Sequence, residues 1–334
     1  MLPLLVVSTG CPSGIGPEVS VAAALQVKRA AKVLLGDEGT LRAAAELVGI
    51  AQKRLVAWDG QARDASRIYF AQVGEPLTAR DRVPGKPNRR AGHAQLEYIE
   101  AGFALVKSSS RAALVTGPVS KAAIAHSGLA RARGFLGHTE WLQAMDGAKT
   151  SVMCFVSAAL STSLVTTHLP IGKVPRSIKP EGVTQATLEL GRLLQKLGKK
   201  RPNLAVASLN PHAGESELLG GEEARAIAPG VARAKKLLGR GAIVTGPLGA
   251  ETAYRKAAAG GFDGVVAMYH DQATIPMKLL AFGDAVNVTA GLSIVRTSVD
   301  HGTAYDIAWR GCADAEGMRA ALELAARIVT GQRA

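Results

Sequence analysis

Residues 4–18 read LLVVSTGCPSGIGPE: an apolar run from Leu4 to Val7, a turn-rich segment from Thr9 to Pro17, and the start of a helical pattern from Glu18 to about Ala24. Apolar, partly β-branched residues closed by Gly and Pro read as a strand, so the unit is strand, loop, helix. The rhythm recurs. Lys32 to Leu35, Ala112 to Val115, Val152 to Val156, Leu164 to Thr167, Leu204 to Ser208, Ile243 to Thr245 and Val265 to Tyr269 read as strands. Pro180 to Leu197, Glu222 to Leu238 and Ala313 to Val329 read as helices, stopped by Gly198, Gly239 and Gly331. Such alternation predicts an α/β fold with a largely parallel sheet. Val286 to Thr289 and Ile294 to Thr297 read as further short strands, and the polar, Pro/Gly-rich Asp81 to Gly92 as a long loop or lid.

The glycines of the opening segment, at 10, 14 and 16, are spaced GxxxGxG, so the classical Rossmann GxGxxG is absent. The segment still offers backbone N–H groups just before a helix N-terminus, which suit an anion or cofactor as well as a purely structural turn.

The chain has 334 residues, enough for two domains or one large one at roughly 150 residues per domain. Its 47% hydrophobic content provides a sizeable core and excludes wholesale disorder. Lys and Arg outnumber Asp and Glu by 40 to 27, a net charge of +13 that attracts anions. Nucleic acid is not the expected partner, because the basic runs at Lys28, Arg29 and Lys32, at Arg89 and Arg90, and at Lys199 to Arg201 lack interleaved aromatics. No apolar stretch approaches the roughly 18 residues of a membrane span, and no basic n-region precedes the first apolar residues. Cys11, Cys154 and Cys312 are too scattered for a disulfide framework or a cysteine zinc site, so a reducing cytoplasm is the expected location.

Three histidines end strand patterns. His168 closes Ser163 to Thr167, His212 follows Leu204 to Leu209 by way of Asn210-Pro211, and His270 closes Gly264 to Tyr269. Parallel strands end on one edge, where ligands bind, so three imidazoles from three strand ends can converge on a divalent metal with open positions. Lys278, Asn287 and Arg296 follow, with Asp271 beside His270, and the cations suit a substrate carrying phosphate or carboxylate. His138 and Thr139 sit in a Gly-flanked loop before a helix, as substrate donors or, for Thr139, as a helix N-cap. Thr116 to Lys121 likewise opens a helix and reads as a phosphate contact or a cap. No residue is singled out as the proton-abstracting base.

With these residues in place, the sequence resembles the 4-hydroxythreonine-4-phosphate dehydrogenase family. The resemblance runs nearly end to end, through Thr9 to Glu18, Thr116 to Lys121, Gly137 to Glu140, Thr167 to Pro170, Leu209 to Glu215, Tyr269 to Gln272, Asn287 to Leu292 and Val295 to Ala304. It implies two α/β/α domains of the isocitrate/isopropylmalate dehydrogenase type, expected at 1–125 plus 275–334 and at 126–274. The active site would lie in the cleft between them, at the interface of a homodimer. His168, His212 and His270 would hold zinc, magnesium, manganese or cobalt with ligands drawn from both subunits, and His138, Thr139, Lys278, Asn287 and Arg296 would hold the substrate. The stretch His301 to Ala308 resembles the superfamily's adenosine-binding loop, which implies NAD bound through His301, Gly302, Thr303 and Asp306 together with Gly14 and Gly16. The implied reaction is oxidation of 4-phosphooxy-L-threonine followed by loss of CO2, in pyridoxal phosphate biosynthesis. The alternatives are a sibling acting on D-threonate or D-erythronate 4-phosphate and, from another class, a non-oxidising phosphate-ligand binder or acyl-phosphate transferase. Two departures bear on substrate identity: Cys11 stands where the family usually carries an acid, and Glu251, a possible accessory residue like Asp271, stands where it usually carries Asp.

Overall fold

A computed structural model describes residues 2–62, 64–281 and 283–331. The strands, in chain order, are β1 (Leu4–Ser8), β2 (Ala31–Gly36), β3 (Leu55–Ala57), β4 (Ile68–Gln72), β5 (Ala112–Thr116), β6 (Val152–Val156), β7 (Ser161–Leu164), β8 (Asn203–Ala207), β9 (Ile243–Leu248), β10 (Gly264–Ala267), β11 (Val286–Ala290) and β12 (Val295–Ser298). Helices alternate with most of them, giving the mixed α/β fold that the opening segment predicts.

The chain divides into two compact units, residues 1–149 with 292–330, and residues 150–291. Both joins fall later than the expected 125/126 and 274/275. Ala132, Phe135 and Leu142 pack into the first unit's core with Val6, Leu114 and Ile99, and Met277, Ala281 and Ala285 pack into the second with Val265 and Tyr254. Residues 332–334 of the expected terminal domain lie outside the described residues.

In the first unit the strands run in the order β3-β4-β2-β1-β5-β12, and every pair is parallel. β1 and β5 are buried at nearly every position, as strands covered on both faces by helices must be. In the second unit the order is β11-β6-β7-β10-β8-β9. β7, β10, β8 and β9 are parallel, whereas β6 is antiparallel to both neighbours. Only residues 157–160 join β6 to β7, far too few for a parallel crossover, so this step is a hairpin, closed by Ser157 N–H on the Leu160 carbonyl at 2.9 Å.

β7 lies at Ser161–Leu164, ahead of the Leu164 to Thr167 stretch that its apolar residues suggest. Its hydroxyls are buried because they are satisfied: Thr162 donates to the Val265 carbonyl at 2.7 Å and Ser163 to that of Ala186 at 3.0 Å. The ladder continues past Leu164, with Val165 and Thr166 N–H donating to Ala267 and Met268.

The expected loop from Asp81 to Gly92 is shorter than its composition suggests, because helix Arg89–Lys107 claims its last four residues. Asn88 is the cap: its side chain accepts from Ala91 N–H at 2.9 Å and donates to Asp81 at 2.9 Å. Asn88→Ala is therefore expected to lower the unfolding free energy by about 1 kcal/mol in urea denaturation. An unchanged midpoint and slope would show that the cap contributes nothing.

Candidate active-site residues

β7, β8 and β10 are parallel, so their carboxyl ends open on one edge of the second unit's sheet. His168 follows β7, His212 follows β8, and His270 is the first residue of helix His270–Leu280 after β10. The His168 and His270 rings lie 5.6 Å apart between centroids, tilted by 42°. Two imidazoles bonded at about 2.0–2.1 Å to one tetrahedral ion would have centroids roughly 5 Å apart, so this pair suits a shared divalent metal. His270 Nδ1 is 2.8 Å from Asp271 Oδ1, a contact that favours the proton on Nδ1 and turns Nε2 into the nitrogen that could ligate a metal. This places the expected accessory residue Asp271 beside a candidate ligand.

His212 stands in an unusual backbone. His212, Ala213, Gly214, Glu215, Ser216 and Glu217 have φ of 52°, 55°, 80°, 42°, 56° and 71°, a left-handed run. Each non-glycine residue there costs roughly 1–2 kcal/mol. Glu223 anchors its start, accepting from Leu209 and Asn210 N–H at 2.9 and 2.8 Å, while the Asn210 amide donates to Glu222 and Glu223 at 2.9 Å. Strain held in place this way marks functional segments. Among the described residues no three His, Cys, Asp or Glu side chains of the single chain form a metal-binding group, so the structure brings together His168 and His270 and does not add His212 to them.

Of the expected substrate residues in this unit, Lys278 is exposed on the helix that His270 opens. Asn287 sits in β11 with its Oδ1 buried and without a donor, a position suited to a ligand's N–H or O–H. Glu251 is exposed on helix Ala250–Ala258, where Thr252 and Arg255 engage its carboxylate at 3.0 and 2.9 Å and hold its pKa below the usual carboxylate range.

The first unit holds the remaining expected substrate residues. Arg296, in β12, is 3% exposed, and its Nε and Nη2 donate to the Thr116 hydroxyl at the end of β5, at 3.2 and 2.6 Å. Burial pushes its pKa down to about 10 against the opposing pull of Glu140, so it stays a cation at neutral pH. His138 opens helix His138–Asp146, with Gly137 rather than Thr139 as the N-cap, and Thr139 follows it, half-buried. The His138 Nε2 is sealed from solvent and has no hydrogen-bond partner. Burial, then the charges of Arg296 and Lys121, hold its pKa well below 6.5, so the ring is neutral. A buried cation beside a neutral, unsatisfied imidazole suits an anionic substrate that also carries a hydroxyl. Lys121 begins its helix behind Ser120, whose hydroxyl accepts from Ala123 N–H at 3.2 Å; the capping reading of Thr116 to Lys121 thus holds at Ser120.

The opening segment and the loop at 301–311 are sewn together. Ile15 N–H donates to the Thr303 carbonyl at 3.0 Å, and a Cβ on Gly14 would stand 2.9 Å from that oxygen. A Cβ on Gly16 would stand 2.2 Å from the Thr9 carbonyl, so both glycines are required by contacts within the chain. The loop places Thr303 half-buried, and His301, Gly302 and Asp306 exposed, with His301 Nδ1 3.0 Å from the Gly302 carbonyl. Glu18, which the sequence reading passed over, is 2% exposed and accepts from Trp309 and Gly311 N–H at 2.9 and 3.3 Å. The signal was present: an acid directly after the Gly-Pro that opens a helix. Cys11 is fully buried with its Sγ 3.4 Å from the Tyr305 hydroxyl; burial raises the thiol's pKa, so it is a neutral packing group.

Residues 28–325 match the family model described as pyridoxal phosphate biosynthetic protein PdxA. A 4-hydroxythreonine-4-phosphate dehydrogenase of Geobacter metallireducens is 39% identical over 331 residues, covering 98% of this chain and 95% of the relative. A D-threonate 4-phosphate dehydrogenase of Cupriavidus necator is also 39% identical, over 341 residues and 98% of each chain. The crystal structure of a 4-hydroxythreonine-4-phosphate dehydrogenase from Klebsiella pneumoniae superposes with a TM-score of 0.85 at 35% identity, covering 98% of each chain. On the family model and on full-length relatives of this identity, the chain belongs to the PdxA family.

Proposed function

We propose that this protein oxidises 4-phosphooxy-L-threonine with NAD to 2-amino-3-oxo-4-phosphooxybutanoate, which loses CO2 to give 3-amino-2-oxopropyl phosphate, using a divalent metal held by His168, His212 and His270. The observation that carries the reading is the pairing of Arg296, a buried cation, with His138, a neutral imidazole whose Nε2 has no partner. When bound, the ion would supply Lewis acidity toward the substrate's oxygens, and the nicotinamide would supply the hydride acceptor. Arg296, with Lys121 and Lys278, neutralises the substrate's phosphate and carboxylate. His138 Nε2 and Asn287 Oδ1, both buried without a hydrogen-bond partner, take the substrate's remaining hydrogen bonds and orient it. Glu18 and Thr303 fix the loop at 301–311 against the opening segment, where the cofactor residues His301, Gly302, Thr303 and Asp306 are proposed to act.

A second copy of the chain is part of the proposal. On the His270–Leu280 helix, Ile275, Leu279 and Leu280 are 60%, 81% and 46% exposed, an apolar surface that a partner subunit would cover. The absence of a three-ligand group within one chain, among the described residues, agrees with a metal site completed across that interface. No helix of the described residues is long and apolar enough to cross a membrane, and a cytoplasmic location fits the free thiols of Cys11, Cys154 and Cys312.

A second reading has its own support: the equal identity to a D-threonate 4-phosphate dehydrogenase, together with Cys11 at a position where the family usually carries an acid. The two substrates differ at C2, amino in one and hydroxyl in the other. NADH formation with added metal, comparing 4-phosphooxy-L-threonine with D-threonate and D-erythronate 4-phosphates, decides between them. Preference for the amino substrate, abolished by chelation, supports the first reading. Preference for a sugar-acid phosphate establishes the sibling activity, and no turnover on any of them removes both.

Two further outcomes follow. Arg296→Met should raise KM for the phosphorylated substrate on the order of 10–100-fold, as charge-assisted hydrogen bonds of about 1.5–3 kcal/mol imply, with KM for NAD unchanged. Equal losses for both ligands would make Arg296 structural. His138 is held neutral when folded but takes a proton near pH 6.5 when unfolded, so the unfolded chain binds more protons and stability falls as pH drops below about 6.5. His138→Gln should flatten that slope in thermal melts between pH 7.5 and 5.5; an unchanged slope would show that His138 does not cause it.

A further inference from the structure

The second unit carries a side chain that none of the chemistry above uses. Gln272, in the first turn of helix His270–Leu280, accepts from Met268 N–H through Oε1 at 2.6 Å and donates through Nε2 to the Ser208 carbonyl at 2.8 Å. Met268 lies just past β10 and Ser208 just past β8, so one side-chain amide spans the ends of two parallel strands. The Met268 carbonyl in turn accepts twice from Thr166, from its N–H at 3.2 Å and its hydroxyl at 2.7 Å, at the end of β7. Thr166, Met268 and Ser208 thus form a single polar knot, with Gln272 as its centre.

Each strand end in the knot leads into a candidate ligand. Thr166 is two residues from His168, Met268 two residues from His270, and Ser208 four residues from His212. The Ser208 hydroxyl also donates to the Asn210 carbonyl at 2.8 Å, carrying the constraint to the edge of the left-handed run that holds His212. The last backbone ladder bonds fall at the knot itself, from Val165 and Thr166 to Ala267 and Met268 and from Ser208 N–H to Leu248, and past it the contacts that tie these strand ends together are made by side chains.

We propose that Gln272 is a positioning residue for the metal: through Met268 and Ser208 it fixes the strand ends from which each subunit presents its histidines to a site completed by the partner, and so sets the affinity of that site. This rests on the metal reading of His168, His212 and His270. Groups hydrogen-bonded to a metal's ligands typically contribute 10–100-fold to its affinity, and Gln272 acts on the same ligands through the backbone of the strand ends.

The test is titration of the full-length, metal-free protein with Co2+, read from its visible absorption, for wild type, Gln272→Ala and the volume-conserving Gln272→Met. Thr162→Val serves as the control, since it removes buried hydrogen bonds from the same sheet, to Val265 and Tyr254, away from the strand ends. Both Gln272 variants should bind Co2+ on the order of 10–100-fold more weakly and with an altered spectrum, while Thr162→Val lowers the melting temperature and leaves the Co2+ affinity unchanged. Wild-type affinity in either folded Gln272 variant overturns the proposal, as does an equal loss in Thr162→Val. Wild-type protein that takes up no Co2+ overturns the metal reading itself, and this inference with it.

Discussion

A buried charge must be compensated where it lies, and Arg296 is the point at which this constraint shapes the protein. Its guanidinium is fixed against the Thr116 hydroxyl between the adjacent parallel strands β5 and β12. Its field, with that of Lys121 and with burial, keeps His138 from taking a proton. One group is thus a permanent cation and the other a permanent neutral donor or acceptor, a difference set by environment rather than residue type. An anion with a hydroxyl beside it matches both.

The second unit works by a different principle. Three parallel strands deliver three histidines to one edge, and the geometry beyond the strand ends is kept by side chains: Thr166 and Gln272 at the ends of β7, β8 and β10, and Glu223 ahead of His212. The left-handed run from His212 to Glu217 is the least favourable backbone in this unit, and Glu223 binds it at its root. The cost of that run is the observation that singles out His212 for a functional role.

Much of this was legible in the sequence, for identifiable reasons. Strands buried on both faces, such as β1 and β5, announce themselves as apolar runs, and the histidines that follow β7, β8 and β10 could be placed by counting from such runs. Legibility failed where polar residues are buried because they are bonded. Ser161 to Ser163 look like a loop until Thr162 and Ser163 are seen donating to backbone carbonyls, and β3, three residues long, carries too little pattern to find. The lid-like stretch at 81–92 misled because Asn88 caps a helix inside it. Gln272 and Glu18 were in plain view within motifs, but their roles are contacts with residues distant in the chain, which no local spacing encodes. The two unit joins follow from packing of Leu142 and Met277, again a property of the folded chain.

Two residue groups carry the function proposed above, Arg296 with His138 in one unit and His168, His212 and His270 in the other. The most direct test of that function is a crystal structure of the protein with cobalt and 4-phosphooxy-L-threonine, with the ion located by its anomalous signal. The account predicts the ion on His168, His212 and His270, with the substrate's anionic groups on Arg296 and Lys278 and a polar atom on His138 Nε2. An ion bound away from the three histidines, or a substrate that does not reach Arg296, would contradict it.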